Sequence, residues 1–234
     1  MKVELVRITE NPVEAIELAA SNCYDSQITK GKIMEHCYKS GHHSVLEFSD
    51  FHFHIEGVSR SLTHQLVRSR LASFAQRSQR YVKESGFEYV IPESIKNAKA
   101  GHNCYTGRPY KAIELYNGLM DRISSDYDEL INFFQIPAED ARFILPNACE
   151  SVIDMNVNLR ELMHFMNERL CTKAQWEIRE MAIKMKELVI QQEPKFEKYL
   201  VPKCEKNSPY NFCTEDKKRC CGRHKLISEV IKES

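Results

Sequence analysis

Apolar residues along the chain change their spacing several times, and each change predicts an element boundary. Phe51, Phe53 and Ile55 alternate with His52, His54 and Glu56, the two-residue period of a half-buried strand. Past Gly57 the period lengthens, and Val58, Leu62, Leu66 and Val67 have helical spacing. Upstream, residues 12–22 and 28–40 read as short helices, the first opened by Asn11 as cap with Pro12 at the first helical position. Phe87-Glu88-Tyr89-Val90-Ile91 before Pro92 predicts a second strand, and 93–108, polar and glycine-containing, a mobile loop. Ala112, Tyr116, Leu119, Ile123, Tyr127, Leu130 and Phe134 then recur every three or four residues, the stripe of a long core helix. Ala138–Ile144 predicts a short helix stopped by Pro146, and Ser151–Val157 a strand. Asn158 with Glu161 has the form of a capping box, and Leu159, Leu162, Met163, Met166 and Leu170 supply the buried face of the helix it opens. A further helix spans about Thr172 to Gln192, using Trp176, Met181, Met185, Leu188 and Val189, and Pro194 ends it.

A chain of 234 residues, 42% of them hydrophobic, can bury a substantial core. One domain is expected over residues 1–202, followed by a polar, cysteine-containing tail over 203–234. No run of about 18 apolar residues occurs, and the start lacks the layout of a secretion signal, so a cytoplasmic protein with no membrane partner is expected. The nine cysteines are scattered and odd in number, which favours reduced thiols. Tail residues Cys204, Cys213, Cys220 and Cys221 lack a Cys-x-x-Cys pair; they read as free thiols, with a zinc site including His224 as the other reading.

Charge alters this picture locally. Overall, 33 Lys+Arg balance 33 Asp+Glu, which argues against wrapping a long nucleic acid. Between Gly57 and Lys83, however, stand Arg60, Arg68, Arg70, Arg77, Arg80 and Lys83 without one carboxylate. A solvated basic face usually interleaves both signs, so this stretch reads as an anion site whose guanidinium forks suit a phosphate. A single-stranded nucleic-acid binder that stacks bases on Phe74 and Tyr81 is a further reading. There is no Gly-x-Gly-x-x-Gly and no Walker loop, so arginines must hold any phosphate. In Gly41–Phe48, His42, His43, Ser44 and Glu47 lack metal-ligand spacing and suit contact with a small molecule; no metal is expected there. His52 and His54 read as surface or interface residues, and Arg160 and Arg169 flank a helix whose inward stripe is apolar.

In this order the pieces resemble the flavin-dependent thymidylate synthases. That family's Arg-His-Arg-x-x-Ser, followed after four residues by Ser-x-Arg-Tyr, corresponds to Arg68-Ser69-Arg70-x-x-Ser73 and Ser78-Gln79-Arg80-Tyr81. Gln65, Gly41-His42, Glu47, Arg142 before Leu145-Pro146, and Asn158-Leu159-Arg160 through Ala174-Gln175-Trp176-Glu177 also fall in family order, over about residues 12–200. The resemblance implies an α+β fold with long core helices on a small, mostly antiparallel sheet. It also implies a homotetramer whose active sites are shared between subunits and hold FAD. The implied reaction converts dUMP to dTMP with methylenetetrahydrofolate as methylene donor and NADPH as reductant.

Carried over by position, the dUMP set is Gln65, Arg68, Gln76, Arg77, Ser78, Gln79, Arg80, Arg142 and Arg169. The FAD set is Ser44, Glu47, Arg68, Ser69, Arg70, Leu71, Asn158, Arg160, His164 and Lys173, with His42 and Tyr81 toward the folate or nicotinamide side. Arg169 is the catalytic candidate, a cation beside the uracil carbonyl. Ser78 is the candidate hydroxyl, but nothing near it reads as a base, so it is assigned to substrate binding. Ser69 stands where the family usually has His, Lys173 where His is common and His164 where Asn is frequent, so flavin affinity or redox tuning would differ. The alternative function is a relative that retains dUMP binding with weakened flavin binding or lost turnover.

Overall fold

The computed structural model describes residues 1–24, 27–103 and 106–233. In chain order the elements are strand β1 (Lys2–Ile8), helices α1 (Pro12–Tyr24) and α2 (Lys32–Lys39), a 3-10 turn at His43–Phe48, β2 (Asp50–Ser59), α3 (Arg60–Leu66) and β3 (Ala72–Gln76). There follow α4 (Glu93–Lys96), β4 (Gly101–His102), β5 (Pro109–Tyr110), α5 (Ala112–Asn132), α6 (Ala138–Ala141) and β6 (Glu150–Asn158). Helices α7 (Leu159–Arg169), α8 (Trp176–Gln192) and α9 (Ile227–Glu233) complete the order.

The main sheet runs β1-β2-β6-β3, and β4 pairs with β5 in a separate hairpin. Leu159 N–H donates to Ser49 O at 2.8 Å, and Arg60 N–H to Cys149 O at 3.1 Å, so β2 and β6 run antiparallel. Contacts group the chain into two compact units, one of Met1–Ile55, Gln65–Ala75 and Asp154–Ser234, the other of Glu56–His64 and Gln76–Ile153. The first unit buries Phe51, Phe53 and Ile55 of β2 and Met155 and Val157 of β6, together with Ile16, Leu162, Met166, Met181 and Met185. Phe196 meets Phe51 edge to face at 5.9 Å. The second unit centres on Phe87, Met120 and Cys149 and on a neighbouring group of Tyr127, Ile131 and Ala141.

Several boundaries differ from the spacing. Val58 is buried within β2, which continues through Gly57 (φ 65) to Ser59; the Ser59 hydroxyl then accepts Leu62 N–H at 3.0 Å and starts α3. Phe87–Ile91 forms one isolated bridge, Tyr89 with Cys149, because the turn at Gly86 and Pro92 leave it no length to pair. The stretch 93–108 contains α4 and the β4–β5 hairpin, with Cys104 and Tyr105 outside the described residues. The last helix before Pro194 opens at Trp176 rather than Thr172, since the Gln175 side chain accepts Glu177 and Ile178 N–H at 3.1 and 3.0 Å. In α5 the stripe is only partly covered: Tyr127 is buried while Leu119 is exposed, and Phe134 lies beyond the helix end. Two edge strands went unread, β1 because Val6 faces solvent beside polar neighbours, and β3 because Ala72, Ser73 and Ala75 carry little hydrophobic signal.

Candidate active site

Helix α7 is aimed by its cap. The Asn158 side chain accepts Glu161 N–H at 2.9 Å, which fixes the first turn, and Leu162, Met163 and Met166 bury the inward face. Arg160, His164 and Glu168, four residues apart, therefore line up on the other side, and Arg169 sits half-buried at the last turn. Facing them, α3 ends in a tight turn where Ser69 N–H donates to Leu66 O at 3.0 Å. That turn presents Arg68, Ser69, Arg70 and Leu71.

Between the two lies a cleft of about 300 Å³, lined by Arg68–Leu71 and by Glu161, His164, Phe165, Glu168 and Arg169. Leu71, Glu161 and His164 also line an adjoining cavity of about 820 Å³ that reaches Arg160, Tyr38, His43 and the tail residues Lys206–Ser208. Among the described residues, Arg68, Arg70 and Arg169 have no carboxylate within ion-pair distance. Three uncommitted guanidiniums around a concave surface form an anion site. Arg160 is tied instead to Glu47, Nη1 to Oε1 at 2.6 Å.

Glu161 is the residue that spacing alone did not single out. Read as a capping partner, it proves to be a buried carboxyl on the wall of both cavities, and burial pushes its pKa up against a smaller opposing pull from His164. Phe165 and Glu168 were likewise unread, although both follow from the i, i+4 register with Glu161 and His164.

Not all the predicted flavin residues converge. Ser44, in the 3-10 turn, Asn158, whose oxygen caps α7, and exposed Lys173 line neither cavity. His42 is exposed at the start of the 3-10 turn, and Tyr81 is exposed beneath the Arg80 guanidinium, 5.3 Å from its ring centre. Gln65 is half-buried in α3.

The second unit holds the rest of the predicted dUMP set. Gln76 donates to Thr63 Oγ1 at 2.9 Å and Ser151 Oγ at 3.1 Å, and buried Gln79 donates to Cys149 Sγ at 3.7 Å. Ser78 Oγ accepts Arg80 N–H at 3.3 Å. Arg77 pairs with Glu84 at 3.1 Å, Arg80 with Glu139 at 3.1 Å, and Arg142 donates to Glu139 O at 3.1 Å. The carboxylate-free stretch thus acquires counterions in three dimensions, because a turn and α6 bring Glu84 and Glu139 back to it. His52 and His54, expected at the surface or an interface, both reach Asp154 Oδ1, at 3.1 and 3.0 Å.

Residues 4–195 match the family model described as thymidylate synthase complementing protein. The chain belongs to the flavin-dependent thymidylate synthase family. The Geobacter sulfurreducens flavin-dependent thymidylate synthase is 39% identical over 202 residues, covering 81% of this chain and 82% of that protein. Its Pyrococcus abyssi counterpart is 43% identical over 208 residues, covering 82% and 80%. The fold matches a crystal structure of the Helicobacter pylori flavin-dependent thymidylate synthase complexed with FAD and dUMP, with a TM-score of 0.65 at 23% identity over 87% of this chain and 99% of that one. Among the described residues, no helix is long and apolar enough to cross a membrane.

Proposed function

We propose that this chain is a FAD-dependent thymidylate synthase that converts dUMP to dTMP, with methylenetetrahydrofolate as methylene donor and NADPH as reductant. The observation that carries the reading is the cleft between the Arg68–Leu71 turn and α7, where three guanidiniums, an imidazole, a hydroxyl and the carboxyls of Glu161 and Glu168 surround a concavity with apolar Leu71 and Phe165. That donor set fits a flavin dinucleotide, offering cations for its diphosphate and apolar walls for its ring. When bound, the flavin supplies the hydride that reduces the transferred methylene to a methyl group.

The chain's own groups do the positioning. Arg68 and Arg70 would hold the diphosphate, with Ser69 and His164 as further polar contacts. Arg169 places a fixed cation beside the uracil carbonyl, where negative charge develops as C5 becomes nucleophilic. Arg77, Arg80 and Arg142, with Gln76, Ser78 and Gln79, complete the nucleotide site from a neighbouring subunit of a homotetramer. To take a phosphate, Arg77 and Arg80 exchange Glu84 and Glu139 for it. Cys149 is no nucleophile at neutral pH, because burial, reinforced by the nearby Glu84 charge, pushes its thiol up to about 11.

An anaerobic assay on the full chain tests this. Purified protein should be yellow, bleach with NADPH and form dTMP once dUMP and methylenetetrahydrofolate are added. Protein that binds dUMP yet forms no dTMP with FAD present would instead be a relative without turnover, and the proposal would fall.

A further inference from the structure

The polar tail brings together groups that the synthase reading leaves unused. Ligand atoms of Cys204, Glu205 and His224 all lie within 4.8 Å of one another. Cys213 pairs with Leu226, two residues past His224, through Cys213 N–H donating to Lys225 O at 2.8 Å and Ile227 N–H to Cys213 O at 2.9 Å. Cys213 and Cys220 then meet thiol to thiol.

Two of these sulfurs are also held by backbone donors. Gly222 N–H donates to Cys220 Sγ at 3.3 Å, and Glu215 N–H donates to Cys213 Sγ. Both bonds run from residue i+2 back to the sulfur of residue i, so each turn fixes the direction of its sulfur. Gly222 makes the second turn at φ +80, a conformation that strains any residue with a Cβ. Glu205 Oε1 accepts from Arg223 at 2.9 Å and contacts His224 Nε2 at 3.3 Å, leaving the His224 Nδ1 for a metal.

We propose that Cys204, Cys213, Cys220 and His224 bind one zinc ion, with Glu205 orienting the imidazole. Three thiolates and one imidazole form the closed tetrahedral set of a structural zinc site. Binding forms three Zn–S bonds and one Zn–N bond and releases three thiol protons to solvent, with no change of oxidation state. Exposed Cys221 is not a ligand. These residues lie beyond the family match, which ends at residue 195. Their turn nevertheless carries Lys206–Ser208, which wall the larger cavity, and Tyr38 Oη donates to Lys206 O at 2.9 Å. The metal therefore pins a wall of the proposed flavin site; only that consequence rests on the synthase reading.

Metal analysis of the full chain, purified without a metal-binding tag and dialysed against a weak chelator, should find one zinc per chain. Cobalt in its place should show thiolate charge-transfer absorption. Cys213→Ser and Cys220→Ser should lose the metal, whereas Cys221→Ser should keep it, and His224→Cys should keep it with an altered cobalt spectrum. If Cys213→Ser misfolds, extraction of zinc from the unaltered chain by a strong chelator, with the thiols titrated before and after, provides the same test. Metal-free protein after equilibration in buffered zinc, full zinc in folded Cys213→Ser and Cys220→Ser, or unreduced protein two hydrogens lighter through a Cys213–Cys220 disulfide would each overturn the proposal.

Discussion

Arg169 reaches the cleft from the last turn of α7, half-buried and without a carboxylate partner among the described residues, so its charge is available to a ligand. Replacing it with alanine should lower the rate of dTMP formation about a hundredfold or more, the scale seen when a group stabilising developing charge is removed. Flavin absorbance of the purified variant shows whether the loss lies in catalysis or in cofactor binding. Ser69 offers the opposite experiment. Ser69→His adds an imidazole to the proposed flavin site, and fluorescence titration with FAD should report tighter binding. Glu161 makes a pH prediction. Its folded-state pKa is raised by burial, so its protonated form contributes stability below the unfolded carboxylate value, and that contribution is lost as pH rises through the folded one. Glu161→Gln, permanently neutral, should therefore melt higher than the unaltered chain at pH 8, with the difference vanishing in acid.

Among the elements, α1 and α2 are joined by a buried carboxylate. Glu17 accepts Thr29 N–H at 2.6 Å, Thr29 Oγ1 at 2.9 Å, Gly31 N–H at 2.6 Å and Ile33 N–H at 3.1 Å. Burial alone would raise its pKa, but these donors together outweigh burial and lower it. The stability it contributes is present above the unfolded carboxylate value and is lost as pH falls through the lower folded value. Glu17→Gln should cost about 2 kcal/mol, the scale of hydrogen bonds to a charged group, read as a lower denaturant midpoint at pH 7 and a smaller loss on acidification. The helices that form the cleft were legible because their signals are local: apolar spacing and one side-chain cap define α7, and a signature of adjacent residues defines the turn that faces it. What stayed hidden depends on distant chain. Glu84 and Glu139 meet Arg77 and Arg80 only after folding, β3 pairs on the strength of its neighbour β6, and Glu161 looks like a capping partner until its burial is known.

At the scale of the whole molecule, exposed apolar side chains near predicted site residues bear on assembly. Leu71, Tyr81 and Phe143 are 72%, 79% and 83% exposed. Sedimentation of the flavin-loaded chain should give the mass of a tetramer; a monomer with full activity would rule out shared sites. The division of the chain has a further consequence for its synthesis. The second unit ends at Ile153, whereas the first draws on residues from both ends of the sequence. A ribosome adding roughly 5–20 residues per second releases Phe51, Phe53 and Ile55 well before the buried partners Met155, Leu162 and Met181 exist. The nascent chain thus holds an open apolar strand for several seconds, a natural client for a chaperone, and the cleft between the Arg68–Leu71 turn and α7 is among the last features to form.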